Sequence, residues 1–279
     1  YTAAALDEEY RRLWGSGDFV SIAPPVIQSV PEGVIITISL EERKPVRSVV
    51  FAGNDALSEK VLKREIQTKE DELYDPLVIR EDSDVIRGLL LKDGYPFSEV
   101  GSRLEGDLNN LTVVFEIDEG PQVLIRSVGF VGTGSISSEE ILKIMQLNPR
   151  TFLGIGKSGK FDPRLLEGDL NQIREYYFLN GYFDAQVSLN RQEYTEGLQD
   201  LRLLIDIDEG PRYRVGKVEF EFTGEHTLTD SDLRDACSIQ EGSEWDGTLI
   251  KQDAEAMRKL FNEQAFIDAS IDPTVIYPL

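Results

Sequence analysis

The sequence contains one cysteine, Cys237, and one histidine, His226, in 279 residues. One cysteine makes no internal disulfide and, alone, no structural zinc site, so Cys237 is expected as a small apolar core residue. His226 lies in the polar stretch Gly224-Glu225-His226-Thr227 and is expected in a loop. No Gly-x-Ser-x-Gly turn accompanies it, which removes a Ser-His-Asp device of the nucleophile-elbow kind. No apolar run approaches the ~18 to 20 residues of a membrane-spanning helix. Basic residues are scarce: 29 Lys plus Arg stand against 51 Asp plus Glu, a formal charge of −22. Such a surface repels nucleic acid and offers no polybasic patch to anionic lipid. Neutral, basic or hydrophobic polypeptides remain as partners. Hydrophobic residues make up 41%, enough for packed cores and against a disordered chain.

What the sequence does have is an internal repeat. Phe115-Glu116-Ile117-Asp118-Glu119-Gly120-Pro121 returns as Ile205-Asp206-Ile207-Asp208-Glu209-Gly210-Pro211, and a weaker copy runs from Ile38 to Pro45. A short apolar strand ending in Phe-x-Gly follows each: Phe51-Ala52-Gly53, Phe130-Val131-Gly132 and Phe222-Thr223-Gly224. A second signature then recurs at fixed spacing. It reads Arg87, Gly94-Tyr95, Val100; then Arg174, Gly181-Tyr182, Val187; then Arg258, Ala265-Phe266, Ile271. A shorter copy, Arg12 to Ile22, opens the chain.

Each repeat is legible locally. After the Phe-x-Gly strand, Ser58 can cap a helix carrying Leu57, Val61, Leu62 and Ile66, and Ser137 or Ser138 takes that place in the next repeat. A second helix carries Val78, Val85, Ile86, Leu89 and Leu90 at spacings of three to four, and Gly94 or Gly181 ends it. Then come a strand, a turn at Glu105-Gly106-Asp107, Thr195-Glu196-Gly197 or Pro31-Glu32-Gly33, and a strongly alternating strand. Leu111, Val113, Phe115 and Ile117 line one face of that strand; Leu201, Leu203, Ile205 and Ile207, and Val34, Ile36, Ile38 and Leu40, are the counterparts. Alternation of period two means a sheet with one covered face.

The expected class is therefore α+β: tandem strand-helix-helix-strand-strand units, with two helices packed on one face of a three-stranded sheet. Division at the acid-Gly-Pro joints gives a partial unit at 1–44 and complete units at 45–119 and 120–209. A unit lacking its last strand occupies 210–279, so the chain is expected to begin and end inside units. The 120–209 unit carries an insertion loop at 148–160 between its helices.

This tandem, with Gly-Tyr or Phe after the second helix and a Glu-Gly-Pro joint, resembles polypeptide-transport-associated (POTRA) domains of outer-membrane assembly factors. The weaker Ala265-Phe266 and Gly17-Asp18-Phe19 signatures and the glycine-free joint at Glu42-Arg43-Lys44-Pro45 depart from the pattern. The resemblance implies a periplasmic arm attached to a C-terminal membrane β-barrel of the same parent chain. Its partners would be unfolded outer-membrane β-barrel proteins and accessory lipoproteins, with no cofactor, metal or covalent chemistry. Other transport channels with such domains, or an envelope-structural interaction module, are the alternatives. A sheet edge presents unpaired N–H and C=O groups that template another extended chain, largely independent of its sequence. Family precedent places the usable edge at a unit's second strand. That selects Ser98, Val100, Ser102 and Leu104 in one unit, and Ala185, Gln186, Val187, Ser188, Leu189 and Arg191 in the next.

Other signals carry less. Gly154-Ile155-Gly156-Lys157-Ser158 suggests a phosphate loop, but Thr151 stands where that motif needs glycine, and a helix precedes it. Asp206-x-Asp208-x-Gly210 opens like a calcium loop, but Lys217 stands where the bidentate acid belongs. Trp14 and Trp245 are expected as packing residues.

Overall fold

A computed structural model describes residues 3–106, 110–150, 158–224 and 226–277. Two compact bodies result, Tyr1–Val123 and Leu124–Leu279. The first runs α1 (Ala3–Ser16), β1 (Phe19–Ile22), β2 (Val26–Val30), β3 (Gly33–Thr37), β4 (Leu40–Glu42), β5 (Val46–Ala52), α2 (Glu59–Glu65), α3 (Pro76–Lys92), β6 (Glu99–Glu105) and β7 (Leu111–Asp118). The second runs β8 (Leu124–Val131), α4 (Ser138–Ile144), a 3-10 turn (Pro163–Leu165), α5 (Leu166–Leu179), β9 (Gln186–Tyr194), β10 (Asp200–Asp208), α6 (Asp230–Ala236) and α7 (Leu249–Glu263).

Each body holds one three-stranded sheet of the same topology. The orders are β5-β7-β6 and β8-β10-β9, with the first pair parallel and the second antiparallel. The last strand in sequence is thus the middle strand in space. A parallel pair needs a crossover, and the two helices supply it while covering one face. Val46, Val49, Phe51, Val113, Phe115 and Ile117 meet Leu62, Ile66, Ile79, Ile86 and Leu90 in one core. Phe51 stacks on Phe115 with centroids 5.6 Å apart. Each such Leu or Ile stabilises by about 1.5–3 kcal/mol, and together these contacts are what a unit this small has to set against chain entropy. The fold is α+β, built from small sheets each carrying a helix pair.

Four expectations change. First, the alternating run Val34–Leu40 is two strands, β3 and β4, in a bent hairpin with β2 and β1. Pro24 and Pro25 lie opposite the break; they lack N–H groups and interrupt the ladder. Val26 and Ile27 are 66% and 59% exposed, so the β2–β3 arm has no well-covered face, whereas Ile22 of β1 is buried. Second, Phe220-Glu221-Phe222 forms no strand. Its counterparts β5 and β8 each pair with a middle strand, and none exists among the described residues after 210. Phe220 and Phe222 still pack on the helix pair through Leu228, Leu233, Met257 and Phe261. Third, Ser58 occupies the N-cap of α2 without a side-chain cap bond, whereas Ser137 forms a full capping box with Glu140. Fourth, Trp14 is 49% exposed on α1, while Trp245 is buried.

The residue after the second helix is left-handed in all three repeats: Gly94 at φ +88°, Gly181 at +93° and Ala265 at +70°. Alanine is strained there, so Ala265→Gly is expected to stabilise the body containing α7 by about 0.5–1 kcal/mol. Urea denaturation followed by circular dichroism, with an unchanged m-value, measures it.

Candidate functional site

Three buried carboxylates organise the repeats, and none was singled out by the sequence reading. Asp82 of α3 accepts from the amides of Gln67 (2.6 Å) and Thr68 (2.8 Å). Asp169 of α5 accepts from Gln146 (2.7 Å) and Leu147 (2.8 Å), and Asp253 of α7 from Ser238 and Ile239 (both 2.9 Å). In each repeat the second helix thereby clamps the loop leaving the first, satisfying two donors that burial would orphan. The signal was present: each aspartate stands five residues before the recurring arginine, Arg87, Arg174 or Arg258. Burial alone would raise the Asp253 pKa, but the two amides and the Cys237 thiol, 3.3 Å away, outweigh it and hold the carboxyl below its ordinary range. The same environment, burial first and Asp253 second, pushes the Cys237 thiol up to about 11.

The acid-Gly-Pro joints are anchor points. Glu119 accepts from the Ala56 amide (2.7 Å), and Glu209 from Gly134 (2.8 Å), Ser135 and the Tyr177 hydroxyl (both 3.0 Å). Glu209 stays below the usual carboxylate range because these donors outweigh its desolvation. Just past the proline, the Val123 amide donates to Gly94 O and that of Tyr213 to Gly181 O.

The 148–160 insertion has a defined root, although 151–157 lie outside the described residues. Val46 bonds the adjacent residues Asp71 and Glu72, and Val215 bonds the adjacent Gly242 and Ser243. Ile125 makes the same two bonds to Arg150 and Gly159. The extra residues therefore enter at one peptide link of a shared turn.

The selected edge strands occupy edges: among the described residues β6 pairs only with β7, and β9 only with β10. On β6, Val100 packs on the core while Ser102 and Leu104 are exposed. Ser98 precedes the strand and is buried, so its side chain has no access to a partner. Pairing along β6 is unbroken from Glu99 to Glu105. On β9 a bulge falls at Asn190, between the pairs Leu189–Ile205 and Arg191–Leu204. Val187 is buried and Leu189 half-buried, while Gln186, Ser188 and Arg191 are exposed; Ala185 lies just before the strand, its amide on Tyr182 O. Arg174 of α5 donates through Nε (3.2 Å) and Nη2 (2.8 Å) to Val187 O. The arrangement can hold a chain by backbone pairing; it assembles no nucleophile with a base. His226 lies in a loop, stacked on Phe222 at 4.0 Å.

Comparison with known proteins follows this geometry. The POTRA family, described as a surface antigen variable number repeat, matches residues 45–120, 123–210 and 213–278. The chain is 27% identical over 234 residues to the outer membrane protein assembly factor BamA of Nitratidesulfovibrio vulgaris, covering 83% of this chain and 29% of that one. It is 22% identical over 271 residues to BamA of Neorickettsia risticii, covering 96% and 36%. It thus spans about a third of the length of these relatives. Among solved structures, the Haemophilus influenzae BamA POTRA3-5 fragment matches at 21% identity and a TM-score of 0.43, over 78% of this chain and 86% of that one. With matches over three successive segments and the sheet-and-helix unit seen in both bodies, the chain belongs to the POTRA family.

Proposed function

We propose that this chain is the periplasmic arm of an outer-membrane β-barrel assembly factor, joined in its parent to a membrane β-barrel. It binds unfolded outer-membrane proteins by strand addition, scaffolds accessory lipoproteins, and acts without covalent chemistry. The arm is read as four repeats dividing after 44, 119 and 209, with one joint device at each later division. The observation that carries client binding is the β6 edge: seven residues of unbroken ladder with nothing paired beyond it among the described residues. Backbone pairing supplies sequence tolerance, which suits many clients. The net charge of −22 suits neutral or basic segments and discourages self-association of the arms.

An extended peptide from the last strand of an outer-membrane barrel, titrated while backbone amides are followed by NMR, tests this. Shifts confined to 99–105 and the facing turns of α3 are expected. Ser102→Pro, at an exposed position that leaves the Val100 packing intact, should weaken binding at least tenfold by blocking the ladder. Undiminished binding by that variant, or no shifts at millimolar peptide, would reject strand addition and leave a scaffold for partner subunits.

A further inference from the structure

The recurring arginine and the apolar residue thirteen positions later touch in one repeat: Arg174 reaches Val187 O of edge strand β9 through two nitrogens. Among the described residues β9 has a strand neighbour only on its β10 side, so a guanidinium arriving from α5 comes to the open side. Its reach is fixed from behind. Asn171 Oδ1 accepts from Nη1, and the Glu167 carboxylate lies 3.5 Å from the same nitrogen. Glu167, Asn171 and Arg174 are spaced by four and three, one face of a helix.

The corresponding positions of α3 are Arg80, Asp84 and Arg87. A like charge replaces the glutamate. Arg87 makes no hydrogen bond or ion pair among the described residues, and no side chain donates to Val100 O, the counterpart of Val187 O. The two edges are alike in topology; β9 has this contact and the Asn190 bulge, and β6 has neither.

We propose that Arg174 is an edge latch: it occupies the carbonyl an added strand would need on β9, so that β6 is open to extended chains and β9 is closed until Arg174 is displaced. This rests on strand addition as the mode of client binding. The latch also gives the third repeat a way to be opened. An acidic partner group that draws Arg174 away would expose β9, and Glu167 and Asn171 set how readily that happens. A charge-assisted bond of this kind, half exposed, should change strand affinity roughly fivefold.

The test uses the whole chain and an uncharged eight-residue peptide alternating Val with Thr or Gln, followed by amide and carbonyl NMR. In the native protein the shifts should fall at 99–105. In Arg174→Ala, without peptide, the Val187 carbonyl resonance should move as its donor is lost; with peptide, new shifts should appear at 186–189. Arg174→Lys, which keeps the charge and loses the two-pronged contact, should lie between. Arg80→Glu should build the latch on α3 and weaken binding at β6. Binding at β6 with no gain at β9 in Arg174→Ala would overturn the latch and leave strand addition standing. Equal binding at β9 before and after the substitution would do the same. No shifts at either edge in any of the proteins would overturn strand addition, and the latch with it.

Discussion

Asp82→Ala is expected to cost about 3–5 kcal/mol, most of the stability of a unit this size. Two amides, Gln67 and Thr68, donate to this fully buried carboxylate at 2.6 and 2.8 Å. Truncation to alanine leaves both without their acceptor, the Thr68 amide in a buried position. An unmade hydrogen bond of a buried group costs about 1–3 kcal/mol, and a bond to a charged acceptor is worth more than a neutral one. Asp82→Asn keeps one acceptor oxygen and should cost about half as much. Urea denaturation of the two variants, read by tryptophan-independent circular dichroism, gives both numbers. A cost below about 1 kcal/mol for Asp82→Ala would mean that the loop after α2 is held by the Leu62 and Ile66 packing alone.

Gly132→Ala is expected to be comparably severe, roughly 4 kcal/mol, and Gly224→Ala mild, about 1 kcal/mol. Both glycines end a Phe-x-Gly run and both are left-handed, at φ +88° and +85°. An alanine Cβ at 132 would stand 2.1 Å from the carbonyl oxygen of Ile207, in the middle strand β10. That carbonyl belongs to a strand paired on both sides and has no room to give. At 224 nothing lies within 4 Å, so only the backbone strain remains. Gly53 repeats the tight case, 2.1 Å from Ile117 O. Comparing unfolding midpoints of Gly132→Ala and Gly224→Ala separates close approach from strain. Equal losses would assign the glycine requirement to the left-handed backbone alone.

These two predictions define what holds a repeat in shape. The aspartate ties helix to loop, and the glycine lets the first strand turn away tightly beside the middle one. The joint glutamates add a third tie, since Glu209 reaches back to Gly134, Ser135 and Tyr177. The edge strands carry none of these ties; on β9 the outward Val187 O is instead held by Arg174.

Much of this was written in the sequence itself. The repeat, the helix stripes through Leu62, Ile66, Ile86 and Leu90, the alternation of Leu111 to Ile117 and the terminating glycines are local patterns with periods set by helix and strand geometry. The chain's acidity and its single histidine and single cysteine likewise bounded the chemistry. Three matters required the folded chain. A strand's rank in sequence does not give its rank in a sheet, so the middle place of β7 and β10 emerged only from pairing. A lone aspartate in a helix reads as a solvated face; Asp82, Asp169 and Asp253 are buried because the amides they serve arrive from another element. Finally, two edges with the same signature differ: Arg174, with Glu167 and Asn171 beside it, reaches Val187 O, and Arg87, with Arg80 and Asp84 at the matching positions, makes no such contact among the described residues. That contrast was visible as letters and acquired meaning only once Val187 O lay within reach of one guanidinium.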